Sequence, residues 1–360
     1  MSQRFSGRLG VQQRVLPNYR APFFDLLAQS CDGGMSLFAG LARRDEGIAP
    51  ANELRIAHYS SAQNIHILRG SLYLCYQHGF INWLKEWDPD VLIVEANPRY
   101  LATPSAVKWM HARGRKVIGW GLGSPPVSGF RRTRWVQFVN QFDALISYSQ
   151  RGANEYAELG FPREKIFVAP NAVSSVPTTK PNDRPHATDR ATILFVGRLQ
   201  ARKRVYSLLL ACSELEPTPR LVIVGDGPER KGLERLAKQV YPFAQFIGAR
   251  HGAELKPYFA EADLFVLPGT GGLAIQEAMS HGLPVIVAKG DGTQDDLVRA
   301  ENGWQITPED HDALAVAMKE ALSDIPRLRR MGMESYRIVR EEINLEKMVE
   351  VFVRALTNLR

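Results

Sequence analysis

The sequence predicts an α/β protein made of two doubly wound, parallel-sheet domains of Rossmann-like type facing each other across a cleft. Three observations carry that expectation. The chain has 360 residues, more than a single hydrophobic core usually supports. A polar, proline-bearing stretch, SSVPTTKPNDRPHATDR at 174–190, separates two halves of nearly equal length and reads as a linker. Within each half, short β-branched runs alternate with helical patterns, the signature of parallel strands buried on both faces.

The strands are clearest in the second half: ATILFVG (191–197), RLVIVG (220–225), AQFIG (244–248), ADLFVLP (262–268) and LPVIVA (283–288). The first half repeats the scheme with RLGVQQRVL, ELRIAHYS, DVLIVEA, RKVIGW, DALISYS and KIFVAP. Residues from about Pro326 to Leu359 show helical periodicity and no strand, so they are expected to pack back across the domains. The predicted organisation is one domain at 1–173, the linker at 174–190, a second domain at 191–325 and crossing helices at 326–360. In such sheets ligands bind beyond the carboxyl ends of the strands.

Composition narrows the function classes. A hydrophobic content of 45% excludes disorder as the main state. No apolar run reaches bilayer length, and the amino terminus MSQRFSGRLG lacks a signal core, which predicts a cytoplasmic protein. Cys31, Cys75 and Cys212 are far apart and predict neither a disulfide framework nor a zinc site. The net charge of +7 lies wholly in residues 1–173, which hold 20 Lys or Arg against 13 Asp or Glu. That surplus suits an anionic partner such as a lipid-phosphate surface or nucleic acid, and equally a merely solvated surface. No run interleaves aromatic with basic residues as single-stranded nucleic acid requires, so no nucleic-acid partner is expected.

Two segments carry chemistry. FVGRLQARKR places Gly197, Arg198, Lys203 and Arg204 in a strand-to-helix turn. There a guanidinium fork and a mobile ammonium suit a diphosphate, although a solvated basic turn has the same composition. VLPGTGGLAIQEAMSHGLPVIVA (266–288) sets Gly269, Thr270, Gly271, Gly272 and Leu273 before and at a helix start, where unpaired amides and the helix dipole favour an anion or hydroxyl. Glu277 follows within two turns, placed to accept hydrogen bonds from a ribose diol or simply to compensate the dipole.

The order GRLxxxK, VGDGP, glycine-rich turn and EAMSHGLPVI resembles glycosyltransferase family 4, the retaining GT-B glycosyltransferases. The resemblance is close over the second half and looser over LGFPREKIFVAPNAV (159–173). It implies a GT-B fold, with an acceptor-binding first domain and a nucleotide-sugar-binding second domain. It also implies that Arg198 and Lys203 hold the donor diphosphate and serve as the catalytic cations. Glu277 would hold ribose hydroxyls, and Gly225, Gly227 and Arg250 would surround the nucleobase. Two departures stand out: Gly269 occupies a position where the family often has a second glutamate, and Trp120 and Gly121 lie where it usually offers a histidine.

The acceptor side of the first domain is assigned to Asn18, Tyr19 and Arg20 after the first strand, Glu95 and Arg99 in EANPRY, and Trp120 with Gly121. Tyr19 reads equally as packing for the helix start. Arg131, Arg132 and Arg134 crowd a helix start, where the dipole disfavours cations unless an anion is bound, although a solvated basic face has the same composition. The expected partners are a nucleotide sugar, a glycan or lipid-linked acceptor of the cell envelope (lipopolysaccharide, capsule or exopolysaccharide), and an anionic membrane touched peripherally. No metal or other cofactor is expected, because two cations already neutralise the diphosphate. Rival readings are a nucleotide-sugar epimerase of the same architecture, a nucleotide-binding protein without turnover, and a dehydrogenase, whose GxGxxG fingerprint VGRLQARK does not match.

Overall fold

The computed structural model describes residues 3–43, 46, 48–181, 190–271, 273–290 and 292–359. It divides into two units, one of residues 1–173 with 345–360, the other of residues 174–344. Of the stretch expected as a linker, 182–189 lies outside the described residues.

In the first unit β1 (Leu9–Val15), α1 (Ala21–Gln29), β2 (Met35–Gly40) and β3 (His58–Ser61) open the fold. A hairpin of β4 (Gln63–Ile67) and β5 (Leu74–His78) follows, then α2 (Phe80–Trp87), β6 (Val91–Glu95), α3 (Thr103–His111), β7 (Lys116–Gly121), α4 (Gly129–Val139), β8 (Ala144–Ser147), α5 (Gln150–Glu158) and β9 (Ile166–Val168). Seven parallel strands run in the order β3-β2-β1-β6-β7-β8-β9, and the hairpin forms its own antiparallel pair. Strand order reverses at β1 and β6, so the ligand end of this sheet is the loop pair after Val15 and Glu95.

The second unit holds β10 (Thr192–Val196), α6 (Val205–Ser213), β11 (Arg220–Val224), α7 (Arg230–Val240), β12 (Gln245–Gly248), α8 (Lys256–Glu261), β13 (Leu264–Leu267), α9 (Leu273–Ser280), β14 (Val285–Ala288), α10 (Thr293–Leu297), β15 (Gly303–Ile306), α11 (His311–Ser323) and α12 (Ile325–Glu341). Its six parallel strands are ordered β12-β11-β10-β13-β14-β15, which puts the switch point between β10 and β13. Every residue of β10, β13 and β14 is buried, as continuous apolar strands covered on both faces should be. Four strands had no counterpart in the pattern reading: β2, β15 and the two of the hairpin. β15 has only four residues, β2 (MSLFAG) has no β-branched residue, and the hairpin reverses the usual sense of alternation. In ELRIAHYS only the last part is strand, beginning at His58.

The carboxyl-terminal helices part company. Rather than crossing from residue 326, α12 stays with the second unit: a Cβ on Gly332 would collide with the Gly282 carbonyl oxygen, so the two backbones touch. The buried Asn344 side chain donates to the carbonyls of Val339 (2.9 Å) and Arg340 (3.0 Å) and closes α12. α13 (Leu345–Thr357) then belongs to the first unit. Its Phe352 ring lies 5.0 Å from Phe23 of α1 and 4.9 Å from Trp120 of β7. Buried Gln276 on α9 holds both ends of the second unit, accepting from the Ser174 amide (3.2 Å) and donating to the Ile343 carbonyl (2.6 Å).

Trp120 is the largest side chain buried at the junction of α1, β7 and α13, with 1% exposure. Truncating a large aromatic in such a place costs about 3–5 kcal/mol. Trp120→Ala is therefore expected to lower the unfolding free energy of the first unit by that order in denaturant titration.

Candidate functional site

The second unit brings its predicted residues together at the switch point. β10 delivers Gly197 and Arg198, after which Ala201–Lys203 form one 3-10 turn. β13 delivers Gly269, Thr270 and Gly271 ahead of α9. The two turns touch backbone to backbone. A Cβ on Gly269 would collide with the Arg202 carbonyl oxygen, and one on Gly271 with the Lys203 ammonium. Gly271 also sits at φ +116, a conformation open to glycine. Gly269, then, is what lets the Lys203 turn approach. A glutamate there has no room for its Cβ with the backbone of Arg202 and Lys203 where it stands.

Lys203 is the outcome of this packing. Burial lowers its pKa from the ordinary 10.5 to about 8, and the neighbouring Arg202 charge acts in the same direction. Among the described residues its ammonium has no carboxylate partner, so a desolvated cation waits beside Gly271 and Gly197. Arg198 is exposed at the same strand end, and its side chain has no hydrogen-bond or ion-pair partner among the described residues. Glu277 is half-buried on α9, its carboxylate likewise without such a partner, and burial pushes its pKa up. An unpaired, partly desolvated carboxyl group and an unpaired, partly desolvated ammonium in one strand-end region are groups that a ligand's hydroxyls and phosphates would satisfy.

Other predicted donor residues have structural duties. Cβ atoms on Gly225 and Gly227 would collide with the carbonyl oxygens of Gly197 and Leu199. The amides of Gly197, Gly225 and Gly227 donate to Val224 O, Gly248 O and Asp226 Oδ1. These glycines stack the VGDGP turn onto the GRL turn. The Thr270 amide, expected to be free for an anion, donates to the Arg202 carbonyl at 3.0 Å, because the turns lie so close. Arg250 is half-buried and donates to the Ala249 carbonyl. Leu273 opens α9, and Gly272 lies outside the described residues.

In the first unit the predicted residues divide. Asn18, Tyr19 and Arg99 are exposed around the ligand ends of β1 and β6. Arg20, expected on the acceptor side, is instead buried at 6% exposure. Its guanidinium donates to Ala172 O (3.2 Å) and Asn171 Oδ1 and lies 5.6–6.0 Å from the ring centroids of Tyr19, Phe23, Trp120 and Tyr148. It is a cation solvated by carbonyl oxygens and aromatic faces. Trp120, also expected to meet the acceptor, faces the α1–α13 layer, because alternation along β7 turns it inward. Gly121 has no room for a side chain beside the Tyr156 hydroxyl.

Glu95 ends β6 inside a polar network that the sequence did not announce. It accepts from the Arg14 amide (3.1 Å) and from the Tyr100 hydroxyl, and burial raises its pKa. Arg14 donates to Glu46 (2.9 Å), and Gln12, Gln77 and Asn64 complete the network. The one sequence signal was the polar run Gln12, Gln13 and Arg14 inside β1.

Family models for glycosyltransferase family 4 and for glycosyl transferases group 1 match residues 38–175 and 178–337. A GDP-mannose-dependent alpha-mannosyltransferase of Mycolicibacterium smegmatis is 36% identical over 280 residues, covering 72% of this chain and 71% of the relative. The chain belongs to the family 4 glycosyltransferases. A lipopolysaccharide core biosynthesis glycosyltransferase of Rhizobium meliloti is 26% identical over 88% of this chain and 87% of its own length. Other matches are partial. The chain spans 27% of the length of an Arabidopsis thaliana sulfoquinovosyl transferase and 62% of that of a Mycobacterium tuberculosis glycogen synthase. The fold is GT-B: a structure of Anabaena Alr3699/HepE in complex with UDP superposes with a TM-score of 0.73 over 98% of this chain and 99% of the other, at 16% identity.

Lys203 supplies a test that separates binding from folding. Its charged form is desolvated, so Lys203→Met is expected to hold or raise the melting temperature while weakening nucleoside diphosphate binding at least about tenfold. The pH dependence has a definite sign. Below pH about 8 the free protein already carries the proton; above it, binding must take a proton up, so affinity falls, approaching tenfold per pH unit. Calorimetric titration of a nucleoside diphosphate on both sides of that pH checks it, and a flat profile above 8 would remove Lys203 from the site.

Proposed function

We propose that this protein is a retaining glycosyltransferase that moves a sugar from a nucleotide diphosphate to a glycan or lipid-linked acceptor of the cell envelope. The observation carrying the reading is the desolvated, carboxylate-free Lys203 against the glycine turn at the switch point. In this reading Lys203 and Arg198 hold the diphosphate and Glu277 accepts from the ribose hydroxyls. The bond from the anomeric carbon to the diphosphate breaks, the acceptor oxygen bonds to that carbon from the same face, and its proton leaves on the departing phosphate oxygen. The two cations stabilise the charge that develops there. No resident metal is assigned a role.

The family supports the transferase class. The Rhizobium meliloti relative, named for lipopolysaccharide core biosynthesis, supports an envelope acceptor, and the complex of Alr3699/HepE with UDP supports a nucleotide-linked donor. We further assign the first unit a peripheral contact with anionic membrane lipid at the cytoplasmic face. Its basic surplus supports this, as does the start of α4, where Arg131 and Arg134 are exposed beside Phe130, itself 76% exposed. Arg132 is also exposed but donates to the Glu158 carbonyl (2.7 Å).

Incubation with a panel of nucleotide sugars, with and without membrane lipid extract, should release nucleoside diphosphate with one donor, and proton NMR of the product should show the anomeric configuration retained. The double variant Arg198→Ala, Lys203→Ala is expected to lose at least about a hundredfold in turnover, as loss of a desolvated charged contact costs about 2–5 kcal/mol. Near-normal product from it would refute the assignment. Glu277→Gln should weaken nucleotide binding with little change in melting temperature.

A further inference from the structure

The hairpin of β4 and β5 is amphipathic in the inverted sense. Asn64, His66 and Gln77 face the unit and are hydrogen-bonded there: Gln77 donates to Gln13 O and Asn64 Oδ1, Asn64 to Arg14 O and Leu41 O, and His66 meets the Tyr73 hydroxyl. The polar side is thus consumed by the Glu95 network, and the alternate residues turn outward. Past the polar pair Gln63 and His78 at the open end, they are apolar toward the tip: Ile65 and its register partner Tyr76 are 44% and 40% exposed, Ile67 38%, and the loop residues Leu68 and Leu72 59% and 68%. Leu41 and Leu101, also exposed, flank the hairpin: the Leu41 carbonyl accepts from the Asn64 side chain and the Leu101 amide donates to the Cys75 carbonyl. Together these are seven of the sixteen large apolar side chains exposed among the described residues, a clustering that isolated surface residues do not show.

The charged side chains of the hairpin segment have one sign. Residues 54–85 contain no Asp or Glu. Arg69 at the loop tip and Arg99 beside Leu101 are exposed, and neither guanidinium has a hydrogen-bond or ion-pair partner among the described residues. An apolar surface with unpaired arginines at its tip and edge complements an anionic bilayer, where aliphatic groups enter the acyl boundary, tyrosine sits at headgroup level and arginines meet lipid phosphate. A second copy would bring the same arginines together with no hairpin carboxylate to balance them.

We propose that the outward face of the β4–β5 hairpin inserts into the interface of an anionic lipid bilayer. This rests on the membrane contact proposed above and names the element that makes it. The hairpin stands on the polar network that holds Glu95 at the ligand end of β6, so insertion would set that end of the first unit against the surface.

The full-length protein should be cosedimented with phosphatidylglycerol-containing and pure phosphatidylcholine vesicles as wild type, as Leu68→Ser, Leu72→Ser, and as Arg131→Glu, Arg134→Glu. The native cysteines are all buried, so Leu72→Cys can carry an environment-sensitive fluorophore. Expected are binding of the wild type to anionic vesicles, at least about tenfold weaker binding by the leucine variant, and a blue shift of the label on anionic vesicles only. Circular dichroism and nucleoside diphosphate affinity of the leucine variant should match wild type. If wild type binds, the leucine variant binds equally and the label does not shift, the hairpin proposal is overturned while the membrane reading stands on α4. Absence of wild-type binding to either vesicle overturns both. A lipid-free dimer that the leucine variant abolishes would make this face a self-interface and overturn the proposal.

Discussion

The site in the second unit depends on how closely two backbone turns approach. Four glycines allow it: Gly225 and Gly227 let the turn after β11 lie on the turn after β10, and Gly269 and Gly271 let the turn after β13 press on Lys203. Each interatomic gap is smaller than a methyl group. Packing at that distance excludes water from the lysine amine and lowers its pKa, storing an electrostatic attraction that an anionic ligand can realise. It also uses up amides, such as that of Thr270, that an isolated glycine-rich loop would have offered to a phosphate.

The first unit solves an opposite problem. Its central strand β1 carries buried Gln12 and Gln13 where a parallel sheet usually has aliphatic residues. The hairpin's Gln77 accepts from the Gln12 side chain and donates to the Gln13 carbonyl, while Gln12 also accepts from the Glu95 amide and the Gln13 side chain donates to the Gln12 carbonyl. The hairpin's inverted amphipathicity follows, since its polar residues are needed inside. A buried Arg20 is likewise made tolerable by carbonyl oxygens and four aromatic rings, two of them on β7 and just after β8. α13 closes over the same group through Phe352 and Met348. The chain's return to the first unit at Leu345 is therefore part of that unit's core.

The sequence by itself determined the two parallel sheets, the strand ends that hold the candidate site residues and the order of motifs along the second unit. Continuous β-branched runs and glycine-flanked turns are local signals, and Arg198, Lys203 and Glu277 are found where those signals put them. What the local pattern could not decide was which way a residue points or what occupies the space beside it. Trp120 and Arg20 read as acceptor groups because they follow strands, but alternation and the distant α13 turn them into core. Gly225, Gly227 and Gly269 read as ligand-facing or as a departure, and their reason is the backbone of another turn dozens of residues away. The hairpin's exposed apolar face and the split between α12 and α13 likewise rest on long-range partners, Gln13 and Arg14 for the first, Gly282 and Phe23 for the second. Burial is a property of neighbours, and neighbours distant in sequence are set only when the chain folds.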